Sequence, residues 1–551
     1  MIDAANQRSL QVPVGHETER LSVSEPRWFT GKEIPTPKIA LVRGPIVASQ
    51  NALNNEATPS IAYAYIAGYL LNAGYECEIV DSIAEGLNNF WAIPGRDGFF
   101  CQGLTFDEAV AMIPKDTGII GISAMFSGEW PVTRELVRRI RKEFPRALII
   151  GGGEHITALC EYSLRDCEEL DVCVKGEGEQ IFFELVEAFR RGDPISMVGG
   201  LAYLDAANAY VETGPLKRIR EINDIPWPYW PKGYMEKFWE HGKSYGVLTE
   251  RDMPIMASRG CPYQCTFCSN PQMWTTRYVL RDQEDLIAEI KSYISRYNIT
   301  ALQFYDLTAI TKKKWTVKFC EMLIEEGIKL KWSLPSGTRS EALDDEVLGL
   351  LYKTGCNYLV YAPESGSPRT LEKIKKRIDL KKLTKSVLTA KKNRLTLRTN
   401  LIIGFPEETR GDVFRTIAYG IYLAARGVDE VSINIFSPYP GTEIFDKLVS
   451  NGALTINDDY FFGLSSLNSE FSNLNPMTCN EKIGARELAI YRLFFLLSNY
   501  AVGYLFYPHR ILRTLKSIFS KNTFAATVFE HRLKDLLKKK SSSESSVKGS
   551  S

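Results

Sequence analysis

Three cysteines, Cys261, Cys265 and Cys268, stand in the stretch Ser258-Arg-Gly-Cys-Pro-Tyr-Gln-Cys-Thr-Phe-Cys-Ser-Asn270. Thiolates spaced four and three apart, on a loop bent by Gly260 and Pro262, can wrap one corner of an iron–sulfur cube and leave its fourth iron without a protein ligand. That open iron is available to bind a substrate or cofactor directly, whereas an electron-transfer cluster takes four cysteines. A structural zinc ion needs a fourth Cys or His close by, and the nearest histidine in sequence, His241, lies well upstream. The other cysteines, Cys77, Cys101, Cys160, Cys167, Cys173, Cys320, Cys356 and Cys479, show no paired spacing. Met1 to Arg20 carries no apolar signal segment, so the reading is a reducing cytoplasm with free thiols.

A scaffold must hold that loop. Met253–Ala257 reads as a strand, and strands and helices then alternate: strands at Ala301–Tyr305, Leu330–Leu334, Tyr358–Ala362, Leu397–Ile403 and Glu430–Phe436, helices at Gln283–Tyr297, Trp315–Glu326, Asp345–Thr354, Asp379–Lys392 and Gly411–Ala425. Six βα units predict a partial (β/α)6 barrel, and barrel enzymes build their sites at the carboxyl ends of the strands, where the cysteine loop falls. Asp306, Arg339, Glu364, Ser365 and Gly404 occupy the ends of the later strands. Carboxylates there also cap following helices, and for Glu364 and Glu407 the residues alone leave both readings open.

Upstream, Lys38–Val42, Ser60–Ala73 and Glu76–Asp81 read as strand, helix, strand, followed by a strand at Thr117–Ser123, a helix at Thr133–Phe144 and a strand at Ala147–Gly151. This order predicts a Rossmann-like, doubly wound parallel sheet. In such sheets ligands sit outside the carboxyl ends of the strands, where this segment concentrates small residues: Ser123 and Ser127, then Gly152, Gly153 and His155, then Gly176, Glu177 and Gly178. From spacing alone, a nucleotide site and plain structural turns are equally compatible.

With 551 residues the chain divides into several domains. The reading is an arm at 1–36, a ligand-binding domain at 37–200, a linker at 201–250, a barrel at 251–445, a helical region at 446–540 and a disordered tail at 541–551. Asp224-Ile-Pro-Trp-Pro-Tyr-Trp-Pro231 is held extended by its prolines. Hydrophobic content of 44% and charged content of 24% are those of globular enzymes, and a net charge of +1 gives no reason to expect a nucleic-acid partner. Glu487–Phe506 is apolar but interrupted by Arg492, Asn499 and Gly503, which predicts a docked amphipathic helix over a membrane span. Basic stretches at Pro508–Arg513 and Lys534–Lys540 have the pattern of a helix lying on an anionic bilayer, so peripheral contact at the inner face of the membrane, with a lipid-like substrate, joins a small-molecule substrate as an expectation.

The C-x3-C-x2-C spacing with Phe267 before the last cysteine resembles the cluster motif of the radical S-adenosylmethionine (SAM) enzymes. Residues 37–200, with the turns Gly152-Gly-Glu-His155 and Lys175-Gly-Glu-Gly-Glu179, resemble the cobalamin-binding domain of the B12-dependent members. The resemblance implies a 4Fe–4S cluster on Cys261, Cys265 and Cys268. It further implies SAM contacts at Phe267, Asp306, Arg339, Glu364, Ser365 and Gly404, and cobalamin contacts at Ser123, Ser127, Gly152, Gly153, His155, Gly176, Glu177 and Gly178. The D-x-H-x-x-G signature is missing, so no histidine is assigned to cobalt, and His155 is expected to hydrogen-bond or pack. The implied function is methylation of an unactivated carbon through a 5′-deoxyadenosyl radical and methylcobalamin, with a reductase, flavodoxin or ferredoxin as electron donor. The alternatives are a B12-associated cyclase or oxidoreductase and, in a different class, a non-enzymatic cobalamin carrier. A methylthiotransferase is disfavoured, since 37–200 lacks a second cysteine triplet.

Overall fold

The computed structural model describes residues 24–52, 57–215, 218–245, 250–470 and 473–519, together with Thr527 and Glu530. The expected tail at 541–551, the basic stretch Lys534–Lys540 and the first part of the arm lie outside the described residues. In the N-terminal domain, β1 (Lys38–Arg43), β2 (Cys77–Asp81), β3 (Thr117–Ser123), β4 (Leu148–Gly152) and β5 (Val172–Val174) form a parallel sheet in the order β5-β4-β3-β1-β2. Ile39, Ala40, Leu41 and Val42 are all buried, as a central strand with both faces covered requires. Helices α1 (Ile61–Asn72), α2 (Trp130–Glu143) and α3 (Gly178–Arg191) supply the cover.

The register carries the functional consequence. Asp81 pairs with Arg43, Arg43 with Ser123, and Ser123 with Gly152, so these four residues form a row across the carboxyl edge of the sheet.

Two antiparallel strands, β6 (Leu201–Leu204) and β7 (Tyr210–Glu212), extend the sheet beyond β5. The domain therefore runs past residue 200 to about the end of β7, and the linker expected from 201 starts later; the periodicity of so short a hairpin is too weak to read. The described part of the arm is docked: Trp28 donates to Asp171 O at 3.0 Å and packs edge-on against Phe189.

The second sheet is parallel and strictly sequential: β8 (Asp252–Ile255), β9 (Ala301–Phe304), β10 (Lys331–Thr338), β11 (Cys356–Glu364), β12 (Thr396–Ile403) and β13 (Glu430–Ile435). Helices α4 (Gln283–Tyr297), α5 (Lys313–Glu325), α6 (Asp345–Lys353), α7 (Leu380–Lys392) and α8 (Arg410–Ala425) alternate with them, giving the partial (β/α)6 barrel. With six strands the barrel stays open, and β13 is an edge. Side chains complete that edge. Asn468 accepts from Ile435 N at 3.0 Å and donates to Ile435 O at 3.1 Å, and Asn499 donates to Val431 O at 3.5 Å.

The C-terminal helices are not a separate body. Helix α9 (Asp458–Leu467) buries Phe461 and Phe462 in the N-terminal core beside Trp130, and α10 (Ala485–Phe506) lies along α8 and β13. Helix α10 corrects one expectation. It is long and apolar enough to cross a membrane, it docks as expected, yet its buried face carries the polar residues Arg492 and Asn499.

Candidate active site

The cysteine loop leaves β8 through Gly260, whose φ of +79° and 2.1 Å clearance to Arg277 O for any added Cβ exclude a side chain. Downstream, Thr266 N donates to Ile374 O at 3.1 Å, and Thr266 O accepts from Ile444 N at 3.1 Å. Asn270 donates to Cys261 O at 3.1 Å and closes the loop. All three cysteines are free thiols, Cys265 buried and its neighbours half-buried. Burial pushes the Cys268 thiol up to about 12, so a thiolate there needs a cation such as iron to compensate it. Among the described residues no three His, Cys, Asp or Glu groups converge as one metal ion requires; a cube instead takes each cysteine on a different iron. Thr266 Oγ1, Asn270 Oδ1 and Thr308 Oγ1 are buried without a hydrogen-bond partner, as expected of a loop folded around a further group. The residues fit a 4Fe–4S cluster with SAM on its open iron.

The strand-end residues divide into two sets. Phe267 meets Phe405 of the turn after β12, edge-on at 5.7 Å. Arg339 lays its guanidinium 3.6 Å from the ring of Tyr263, between two cluster cysteines. Glu364 ends β11 in the left-handed region at φ +65° and accepts from Lys376 at 3.0 Å; strain of that kind collects at functional sites. Lys376 also lies beside Cys265: burial opposes its charge, while Glu364 and Cys265 hold it protonated.

Other predicted contacts also hold the scaffold. Asp306 accepts from Ala257 N at 3.1 Å and from the Ser258 hydroxyl at 2.5 Å, and burial raises its carboxyl to about 6. It clamps the root of the cysteine loop. Ser365 turns away to Thr416 of α8 at 2.9 Å. Gly404 donates to Glu408 at 2.7 Å. Burial pushes Glu408 up to about 7 while it accepts from the turn; sequence reading passed over it for exposed Glu407.

At the carboxyl edge of the N-terminal sheet lies an open cavity lined by Ser123, Gly152, Gly153, Gly176, Glu177 and Gly178, along with Tyr63, Ile66 and Phe182. A Cβ on Gly152 would meet nothing within 4 Å, which is the open cradle a corrin or its nucleotide tail needs, so the residues fit cobalamin. Ser127 and His155 are not in this wall. His155 lies behind it, stacked on Trp130 at 4.7 Å, its ring nitrogens 3.0 Å from Ser127 and 3.3 Å from Ser163. Glu177 lines the cavity but is committed to Arg218 at 2.9 Å and Ile219 N at 2.6 Å.

The two halves share one wall. Met273 and Trp274, which follow the cysteine loop, line the cavity opposite Gly151–Gly153, and Ser269 donates to Glu154 in the Gly152–His155 turn. Glu154 was missed because only its neighbours had the size and flexibility that mark a ligand turn. Phe126, Leu307 and Tyr439 remain exposed in the strand-end loops. Glu129, raised to about 7 by burial, lies within electrostatic reach of Arg43, which itself donates to Thr58 O and Asp81; a lone carboxylate before a helix gives no signal in sequence.

The radical SAM superfamily domain is matched over residues 255–420 and the B12 binding domain over residues 55–186. An uncharacterized methyltransferase of Pyrococcus horikoshii is 30% identical over 76% of this chain and 84% of its own. The anaerobic magnesium-protoporphyrin IX monomethyl ester cyclase of Rubrivivax gelatinosus is 25% identical over 71% of this chain and 66% of its own. Among solved structures, the radical SAM methyltransferase TsrM of Kitasatospora setae, with tryptophan and a SAM analogue bound, superposes with a TM-score of 0.56 at 17% identity over 76% of this chain and 77% of that one; another TsrM structure holds cobalamin and a 4Fe–4S cluster. At that identity the likeness is one of fold. The chain belongs to the B12-binding radical SAM enzymes.

Proposed function

We propose that this enzyme methylates an unactivated carbon of a small, largely apolar metabolite. The observation that supports it is the shared wall: Met273 and Trp274 of the barrel face the Gly151–Gly153 turn across one cavity, so a substrate between the domains reaches both sites.

Cys261, Cys265 and Cys268 would hold the cluster, which supplies an electron to SAM and so a 5′-deoxyadenosyl radical. The Ser123 and Gly152–Gly153 edge would hold cobalamin, which supplies the methyl group. The chain's own residues position and enclose. Glu364, oriented by Lys376, is the polar contact offered to SAM, and Phe267 and Phe405 offer it an apolar wall. A flavodoxin- or ferredoxin-type donor in the cytoplasm would supply the electron.

The test is anaerobic turnover of reconstituted protein with trideuteromethyl-SAM, dithionite, cobalamin and a metabolite extract. Release of 5′-deoxyadenosine with a product carrying the labelled methyl is expected. A product that has lost hydrogens without gaining methyl would establish a cyclase, and no 5′-deoxyadenosine would leave a carrier.

A further inference from the structure

Helix α10 carries apolar side chains on both its faces. Its buried face packs Leu488 and Phe495 into the barrel core and also holds Arg492, which donates to Leu467 O at 2.9 Å and Glu470 O at 3.1 Å, and Asn499, which donates to edge strand β13. Asn499 serves the open barrel edge and Arg492 the carbonyls at the end of α9. Further apolar side chains lie outside. Ile490, Phe494, Leu497 and Leu505 recur at helical spacing along the outer face, with Leu497 74% and Leu505 76% exposed. Helix α11 (His509–Phe519) continues the surface with Leu512, 71% exposed, and Leu515. From Leu488 to Leu512 no Asp, Glu, Lys or Arg is exposed: Arg492 and Arg510 are both buried. The stripe begins where Leu488 packs against Gly404 and ends where Arg510 donates to Gly427 O at 2.8 Å, so it spans the height of the barrel wall.

An apolar band of this size, interrupted by exposed His509 between Leu505 and Leu512, marks a contact surface, and the charges at its ends select the partner. Exposed Lys482 and Arg486, beside exposed Glu481, precede it and exposed Lys516 follows it, while Glu487 is held by Arg410 at 2.6 Å, so cations outnumber free acids at its ends. Half-buried Tyr500, Tyr504 and Tyr507 flank it with the amphipathic rings suited to a water–lipid boundary. In a symmetric pairing of two copies these cationic ends would face each other, which disfavours a dimer. We infer that the outer face of α10 and α11 lies in the plane of an anionic lipid bilayer, apolar stripe inserted and Lys482, Arg486 and Lys516 on the headgroups. This inference concerns where the enzyme sits and stands apart from the methyl-transfer reading.

The test is flotation of the full, reconstituted chain with phosphatidylglycerol-containing vesicles. The wild type is expected to bind them, to bind phosphatidylcholine vesicles less, and to lose roughly fivefold in affinity for each cation removed. The triple variant Leu497→Glu, Leu505→Glu, Leu512→Glu should lose at least tenfold in partition while keeping the wild-type circular dichroism and 5′-deoxyadenosine release. Absence of wild-type binding, or equal binding by the triple variant, would overturn the inference. So would a wild type that ignores vesicles but dimerises in sedimentation while the triple variant stays monomeric.

Discussion

Arg259, two residues before the first cluster cysteine, donates to Glu179 of the N-terminal domain at 2.5 Å, and its other terminal nitrogen lies 3.5 Å from Glu177. All three side chains are buried, so the root of the cysteine loop is tied electrostatically to the Gly176–Glu179 turn in the cavity wall. Removing one partner leaves buried charge uncompensated, which costs about 3–5 kcal/mol. Arg259→Ala should therefore lower the melting temperature and loosen both cofactors. A melting curve unchanged from wild type would show the tie to be incidental.

Each cysteine of the triplet carries one corner of the cluster. Cys265→Ala should lose most iron and sulfide after anaerobic reconstitution, with the brown absorbance gone. Wild-type iron content in that variant would remove the cluster assignment.

Gly260 makes the same point without touching a ligand. Any Cβ there lies 2.1 Å from Arg277 O at a φ of +79°, so Gly260→Ala must displace backbone, at a cost of about 1–3 kcal/mol. Cluster content should fall although all three cysteines remain; full iron occupancy would show that the loop tolerates the shift.

Gly152 is the opposite case, since its Cβ would point into open space. Gly152→Phe should fold normally, exclude cobalamin, and still release 5′-deoxyadenosine, with methylated product lost. Normal product formation without cobalamin would refute the methyltransferase reading.

Burial holds His155 neutral, its pKa pushed down from 6.5 to about 3. A depressed folded pKa contributes stability above the unfolded value that is lost as pH falls from 6.5 toward 3, on the order of 5 kcal/mol in full. In urea titrations of the apoprotein, His155→Gln should cost stability at pH 7 yet flatten the decline between pH 6.5 and pH 4. Parallel declines would mean the histidine is not buried neutral. With both ring nitrogens engaged by serines, the Co(II) cobalamin form should also lack nitrogen splitting from a protein imidazole in electron paramagnetic resonance.

The sequence by itself determined the cysteine triplet, the two α/β domains and nearly all the barrel strands, because ligand spacing, apolar runs and turn residues are local and survive without neighbours. Tertiary structure decided what each polar group faces. Asp306 stood in sequence only as a strand-end carboxylate, and the fold brings it under Ala257 N and the Ser258 hydroxyl, both of which donate to it. Lys376 and Glu154 carried no signal in sequence; the first reaches Glu364 only when the chain after Ile374 packs on the cysteine loop, and the second meets Ser269 only when the domains close. Arg492 and Asn499 read as interruptions of an apolar helix. They point inward because Asn499 meets a carbonyl of the open edge strand β13 and Arg492 the carbonyls at the end of α9, acceptors brought there by tertiary packing and invisible in any local window.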